Sequence, residues 1–214
     1  KERNIKGVFF IPTSILRYKR ILNVHKIHYL LSINNTKLIY ERACELIQEM
    51  GINIQMYTNE EAYKHSEHDK YELKLKKLFN YKIGFNESDK ITDDLMDFFG
   101  LKHEYSSMLY LKKNDIEEMY LDGQIFGSHT NSHKILSSLN YENQKAEIEN
   151  SFKYLSSFID EDFKTISYPY GYKFTYDDNT KEILKNINVN YAFIFDNKKN
   201  HSFNKYEISR IDCN

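Results

Sequence analysis

Hydrophobic positions along the chain follow two different periods. Short strand-like runs fall at 7–12, 124–128, 163–168, 190–195 and 206–211, the first of them unbroken in its apolar residues from Val8 to Ile11. Runs of this length read as strands, and the first, Gly7-Val-Phe-Phe-Ile-Pro12, predicts a strand buried on both faces of a parallel sheet. From Ser14 to about Lys112 the period is helical, with no convincing second strand. Asn35 or Thr36 predicts the cap of a helix to Met50, with Ile39, Ala43, Leu46 and Ile47 on one face and Gly51 as its stop. Tyr71, Leu75, Leu78 and Phe79 mark a second amphipathic face; Leu95, Phe98 and Phe99, stopped by Gly100, mark a third. Further on, Asn114 with Glu117 predicts a capping pair for a short helix to Tyr120, and helices are predicted over 141–159 and 180–186. This alternation predicts an α/β class with a parallel sheet. The whole of 1–214 is expected to be one domain, carrying a mostly helical insertion over 14–112. The opening residues, Lys1 to Gly7, read as a helix end turning into the first strand, so the chain is expected to be cut inside a domain.

Charge changes this picture little. Thirty basic and 31 acidic residues leave a formal charge of −1, which gives no electrostatic case for nucleic acid or an anionic membrane surface. No run approaches the ~18 apolar residues of a membrane span. The two cysteines, Cys44 and Cys213, cannot form a disulfide framework, and Cys44 is expected to pack in a helix core. Lys74-Leu-Lys-Lys77 reads as a solvated helix flank, and no Gly-rich phosphate loop or Gly-x-Ser-x-Gly elbow occurs.

Candidate chemistry concentrates after the second strand, in Ser128-His-Thr-Asn-Ser-His133. If a helical turn starts there, His129 and His133 share a face and can share a metal; a solvated helix start is the alternative. Strand ends of this polarity are where α/β folds place their sites. Pro169, in Ser167-Tyr-Pro-Tyr-Gly171, bends the end of the next strand, either to aim an N–H at a ligand or as an ordinary turn. Gly127 permits close packing just ahead of the histidines. Tyr168, Tyr170 and Tyr172 can stack on sugar faces or serve packing. Asp93-Asp94 and Asp177-Asp178 read as helix-start caps, and the pairs His25-x-x-His28 and His65-x-x-His68, beside Asp69, lack a rigid third ligand.

Together these residues resemble the polysaccharide deacetylase (NodB-homology) family. Ile125-Phe-Gly-Ser-His-Thr-Asn-Ser-His133-Lys-Ile-Leu136 is similar to its second motif, and Ser167-Tyr-Pro-Tyr-Gly171 to its third, with Ser167 where the family has Arg. The resemblance implies an incomplete (β/α)7-type barrel and removal of N-acetyl groups from a saccharide. It implies a divalent metal, zinc above all, held by His129 and His133, with a third ligand from an Asp–Asp motif expected upstream of residue 1. Thr130, Pro169 and Tyr168 are implied on the substrate side, Thr130 also as an orienter of the ligands. Tyr170 is implied as oxyanion donor, and Arg210 or Asp212 stands where the family carries its late histidine. Without the Asp–Asp motif, the 214 residues are expected to bind metal poorly and not to turn over. A saccharide-binding barrel that has lost its acid and base is the alternative.

Overall fold

The computed structural model describes residues 5–54, 69–159, 163–200 and 202–211. Its strands are β1 (Val8–Ile11), β2 (Ile125–Ser128), β3 (Thr165–Ser167), β4 (Tyr191–Phe195) and β5 (Ile208–Arg210). They form a single sheet in the order β1-β2-β3-β4-β5, and every neighbouring pair is parallel. The helices are α1 (Ser14–Tyr18), α2 (Asn23–Ile33), α3 (Thr36–Glu49), α4 (Lys70–Lys77), α5 (Phe85–Phe98), α6 (Ser106–Leu109), α7 (Lys113–Leu121), α8 (Tyr141–Leu155) and α9 (Asp178–Asn186). Helices follow β1, β2 and β3 before the next parallel strand, which gives the α/β class that the alternation predicts; among the described residues β4 leads to β5 without one. Strand order follows chain order throughout, and among the described residues β1 and β5 are the sheet edges.

The chain divides into two compact units, Lys1–Lys19 with Ser107–Asn214, and Arg20–Ser106. The bounds differ from the expected 14–112 insertion because α1 belongs with the sheet. Thr13 N–H donates to the Thr130 carbonyl (3.2 Å) and Ser14 N–H to that of Asn131 (2.8 Å), tying the start of α1 to the end of β2.

In the sheet unit, Ile166, Tyr168, Ile183, Leu184, Ala192 and Ile194 pack with Leu136 and Ile148 on one side of the strands. The opposite side carries Phe10, Gly127, Thr165 and Phe193. The Phe10 and Phe193 rings meet at 5.3 Å although β2 and β3 lie between their strands. Contact across two intervening strands requires this side to be concave and its middle residues small. Gly127 meets the need: a Cβ there would lie 2.7 Å from the Phe10 ring and 2.8 Å from the Thr165 carbonyl. β1 is not buried on both faces, since Val8 is 43% and Phe9 37% exposed. An edge position explains this, because one flank of the strand has no described neighbour.

The helical unit has its own core, in which Leu30, Ile39, Ala43, Leu75, Ile91 and Leu95 are buried. Asn35 caps α3, accepting from Lys37 N–H (3.0 Å) and Leu38 N–H (3.2 Å). Asp69 caps α4 in the same way. Asp93 and Asp94 are not caps: they lie inside α5, and Asp93 pairs with Arg20 and with the fully buried Lys26. Asp89 supplies the second carboxylate to Lys26 at 2.6 Å, so the buried ammonium is compensated. Cys44 is exposed rather than core, and Lys76 is buried against Glu72 rather than solvated. α7 begins one residue before Asn114, and its cap bond runs from Lys112 N–H to Asp115.

Candidate active site

β2 ends at Ser128 and hands the chain to a loop, not to a helical turn. Thr130 (φ 62°) and His133 (φ 60°) both occupy the left-handed region, which costs a residue with a Cβ roughly 1–2 kcal/mol. What sustains this conformation is a complete set of backbone partners. His129 N–H donates to the Ile11 carbonyl at 3.0 Å, continuing the ladder to β1. Thr130 N–H donates to Ser128 Oγ (3.0 Å), and His133 N–H to Thr130 Oγ1 (3.1 Å). Asn131 N–H reaches the Glu147 carbonyl (3.0 Å), and Ser132 N–H reaches Glu147 Oε2 (2.8 Å). Side chains thus answer N–H groups that a helical turn would have paired with carbonyls.

The loop brings the two imidazoles together. Their centroids are 4.7 Å apart in an edge-to-face arrangement, and both rings are half-buried. His129 Nδ1 lies 2.7 Å from the Ser167 carbonyl. A carbonyl only accepts, so Nδ1 carries the proton in the neutral ring and Nε2 holds the lone pair. That tautomer is the one in which a second strand orients an imidazole for metal binding.

Tyr170 completes the group from the end of β3, its ring 5.0 Å from that of His133. It too is left-handed (φ 62°), followed by Gly171 at φ 73°. Gly171 has no room for a side chain: a Cβ would lie 2.7 Å from Phe195 N and 3.3 Å from Arg210 Nη2. Arg210, at the end of β5, donates from Nε to the Ile194 carbonyl (3.3 Å) and so lies against this same bend.

Three residues assigned to the substrate side do not face solvent. Tyr168 is fully buried, stacked on Tyr176 at 4.1 Å, and its hydroxyl donates to the Tyr206 carbonyl at 3.0 Å. Burial, reinforced by Tyr176 and Glu207, pushes its phenol far above the ordinary tyrosine range, so it stays neutral. Strand alternation explains the misassignment: Tyr168 follows Ile166 onto the core side. Thr130 is fully buried and acts on the His133 backbone, and Pro169 is buried in the bend. Asp212, His65 and His68 lie outside the described residues. His25 and His28 lie in α2 of the helical unit, and Asp177 caps α9 as its position predicts.

Sequence reasoning passed over Glu147. It lies in α8 with Gln144 and Ser151, and all three are buried polar residues beside Ile148. Polar residues at i, i+3 and i+7 on the buried face of a helix are the signal that could have singled it out. Each has a partner: Gln144 accepts from Thr180, Ser151 from Ser128, and Glu147 from Ser132.

Among the described residues no three His, Cys, Asp or Glu side chains converge on one point. The two imidazoles are nitrogen donors of the kind that could hold a borderline ion such as zinc. Comparison with known proteins bears on the family. No curated protein matches the sequence. A solved structure, the Streptococcus pyogenes deacetylase PplD in complex with acetate, is 15% identical, with 96% of this chain and 91% of that chain covered and a TM-score of 0.43. Residues 1–192 match the family described as polysaccharide deacetylase. A match over that much of the sequence, including both the histidine loop and the Tyr-Pro-Tyr-Gly bend, settles the family: this chain belongs to the polysaccharide deacetylases.

Proposed function

We propose that this chain is the deacetylase domain of an enzyme that removes N-acetyl groups from a saccharide, using a divalent metal held by His129 and His133. The observation that carries the reading is the paired imidazoles at the carboxyl end of β2, with Tyr170 against them. The third ligand, expected as an Asp, would come from outside the described residues. Such an ion, when bound, supplies Lewis acidity: it polarises an amide carbonyl and brings the ionisation of water toward neutral pH. The chain's own groups supply position. Ser167 fixes the His129 tautomer through its carbonyl, Thr130 holds the His133 backbone, and Tyr170 offers its main-chain N–H to the developing oxyanion. Arg210 supports the Tyr170 bend through its packing on Gly171. The concave face under Phe10 and Phe193 supports an incomplete barrel as the parent fold.

Zinc titration by calorimetry and an acetate-release assay on chitooligosaccharides test this reading. With two imidazoles as the converging donors among the described residues, the 214-residue chain should bind zinc weakly and release no measurable acetate. A chain carrying an Asp–Asp pair ahead of β1 should bind zinc tightly and release acetate, and His129→Ala or His133→Ala in it should abolish turnover as well as affinity. An extended, zinc-loaded protein that releases no acetate would favour a non-catalytic saccharide-binding barrel. Ser167, standing where the family has Arg, is the observation on that side.

A further inference from the structure

We infer that Glu147 is the positioning residue of the histidine pair: it holds the loop between His129 and His133 so that the second imidazole faces the first. The inference deepens the functional reading above and rests on His133 having the role assigned there.

Three bonds from one residue reach two consecutive loop positions. The Glu147 carbonyl accepts from Asn131 N–H at 3.0 Å, Oε2 from Ser132 N–H at 2.8 Å, and Oε1 from Ser132 Oγ at 2.5 Å. Asn131 and Ser132 are the residues between left-handed Thr130 and left-handed His133, in neither helix nor strand; Ser14 N–H holds the Asn131 carbonyl (2.8 Å), while Glu147 takes the N–H groups of both residues. A carboxylate that takes both the N–H and the hydroxyl of one serine fixes that residue's orientation, and with it the direction in which the next Cα leaves. The next residue is His133. Glu147 is itself held: it is 8% exposed, it sits in the middle of α8, and Ser151 one turn on bonds Ser128 at the strand end. Lys134 Nζ lies 3.9 Å from Oε1, so the carboxylate faces one cation and one serine. Its neighbour Glu149, by contrast, points outward to a surface lysine and has no part in the loop.

The test reads the rings directly, in the metal-free protein, by nuclear Overhauser contacts among His129, His133 and Tyr170. In Glu147→Ala the His133–His129 and His133–Tyr170 contacts should be lost, while the buried Tyr168–Tyr176 stack, held by its own core contacts, keeps its own. Glu147→Gln retains one acceptor and should restore part of the signal. Zinc affinity, measured on the same proteins, should fall about tenfold in Glu147→Ala. Should Glu147→Ala fail to fold, Ser132→Ala removes only the hydroxyl bond and must weaken the same two contacts. Ring contacts that persist unchanged in either folded variant overturn the inference. A wild-type protein that shows the contacts yet binds no zinc under any condition overturns the metal reading instead and leaves the positioning result standing.

Discussion

Gly127 shows how much one missing side chain controls at the residue scale. The Phe10 ring can yield to an added methyl, but the Thr165 carbonyl belongs to the sheet and cannot. Gly127→Ala should therefore destabilise the fold by roughly 1–3 kcal/mol, as overpacking does, in a urea titration. Glu207 gives a pH test. Burial by itself would raise its carboxyl, but the Lys181 ammonium at 2.7 Å and the Tyr176 hydroxyl at 3.1 Å outweigh burial and hold it below the ordinary value. A depressed carboxyl lends stability that is present above the unfolded carboxylate range, near pH ~4, and is lost as pH falls through the folded value. Denaturant titrations on Glu207→Gln should thus show a weaker protein at pH 7 and a flatter acid limb; an unchanged acid limb would rule this group out. Single residues were also where sequence reading was most uneven. His129 and His133 stood out because imidazoles at a strand end are chemically unusual. Glu147 did not, because a glutamate in a helix looks solvated until the helix's buried face is known.

Among the elements, capping was legible wherever a short polar side chain did the work. Asn35 and Asp177 sit at helix starts and bond the N–H groups their chemistry suits. Asn35→Ala should lower the stability of the helical unit by about 1 kcal/mol, checked by chemical denaturation followed at its own amides. Asp93-Asp94 misled for a physical reason: an acidic pair is equally at home mid-helix when a neighbouring helix buries a lysine against it. The histidine loop misled for another. Spacing i, i+4 fits a helical turn, but side-chain acceptors at Ser128, Thr130 and Glu147 captured the N–H groups first. The rings still met, since two left-handed residues reverse the chain within the same span.

For the whole molecule, strand positions and parallel pairing were legible because a buried β-run and a helical period differ so clearly in sequence. Which faces the strands bury was not: Tyr168 and Val8 needed the sheet order to be placed. The two units carry separate cores, so Leu95→Ala should cost the helical unit about 2–5 kcal/mol, seen as faster hydrogen exchange at amides of 20–106. The pairing of β1 with β2 has a consequence for the order of assembly. Gly7 bonds Gln124 across 117 residues of chain, whereas Lys164 bonds Asn190 across 26. Closing the longer loop costs about 1 kcal/mol more in chain entropy, and contacts of that separation are slow to find. β1 should therefore dock after β3 and β4 have paired. The Thr13 and Ser14 amides, which bind the loop between the histidines, can be protected only then. In a pulse-labelled refolding experiment they should gain protection later than the amide of Tyr168, which bonds Phe193 in the neighbouring strand. Protection in a single shared phase would refute that order. On this schedule the histidine loop is the last part of the sheet unit to set, so any refolding of the protein that stalls early will yield ordered strands with an open site.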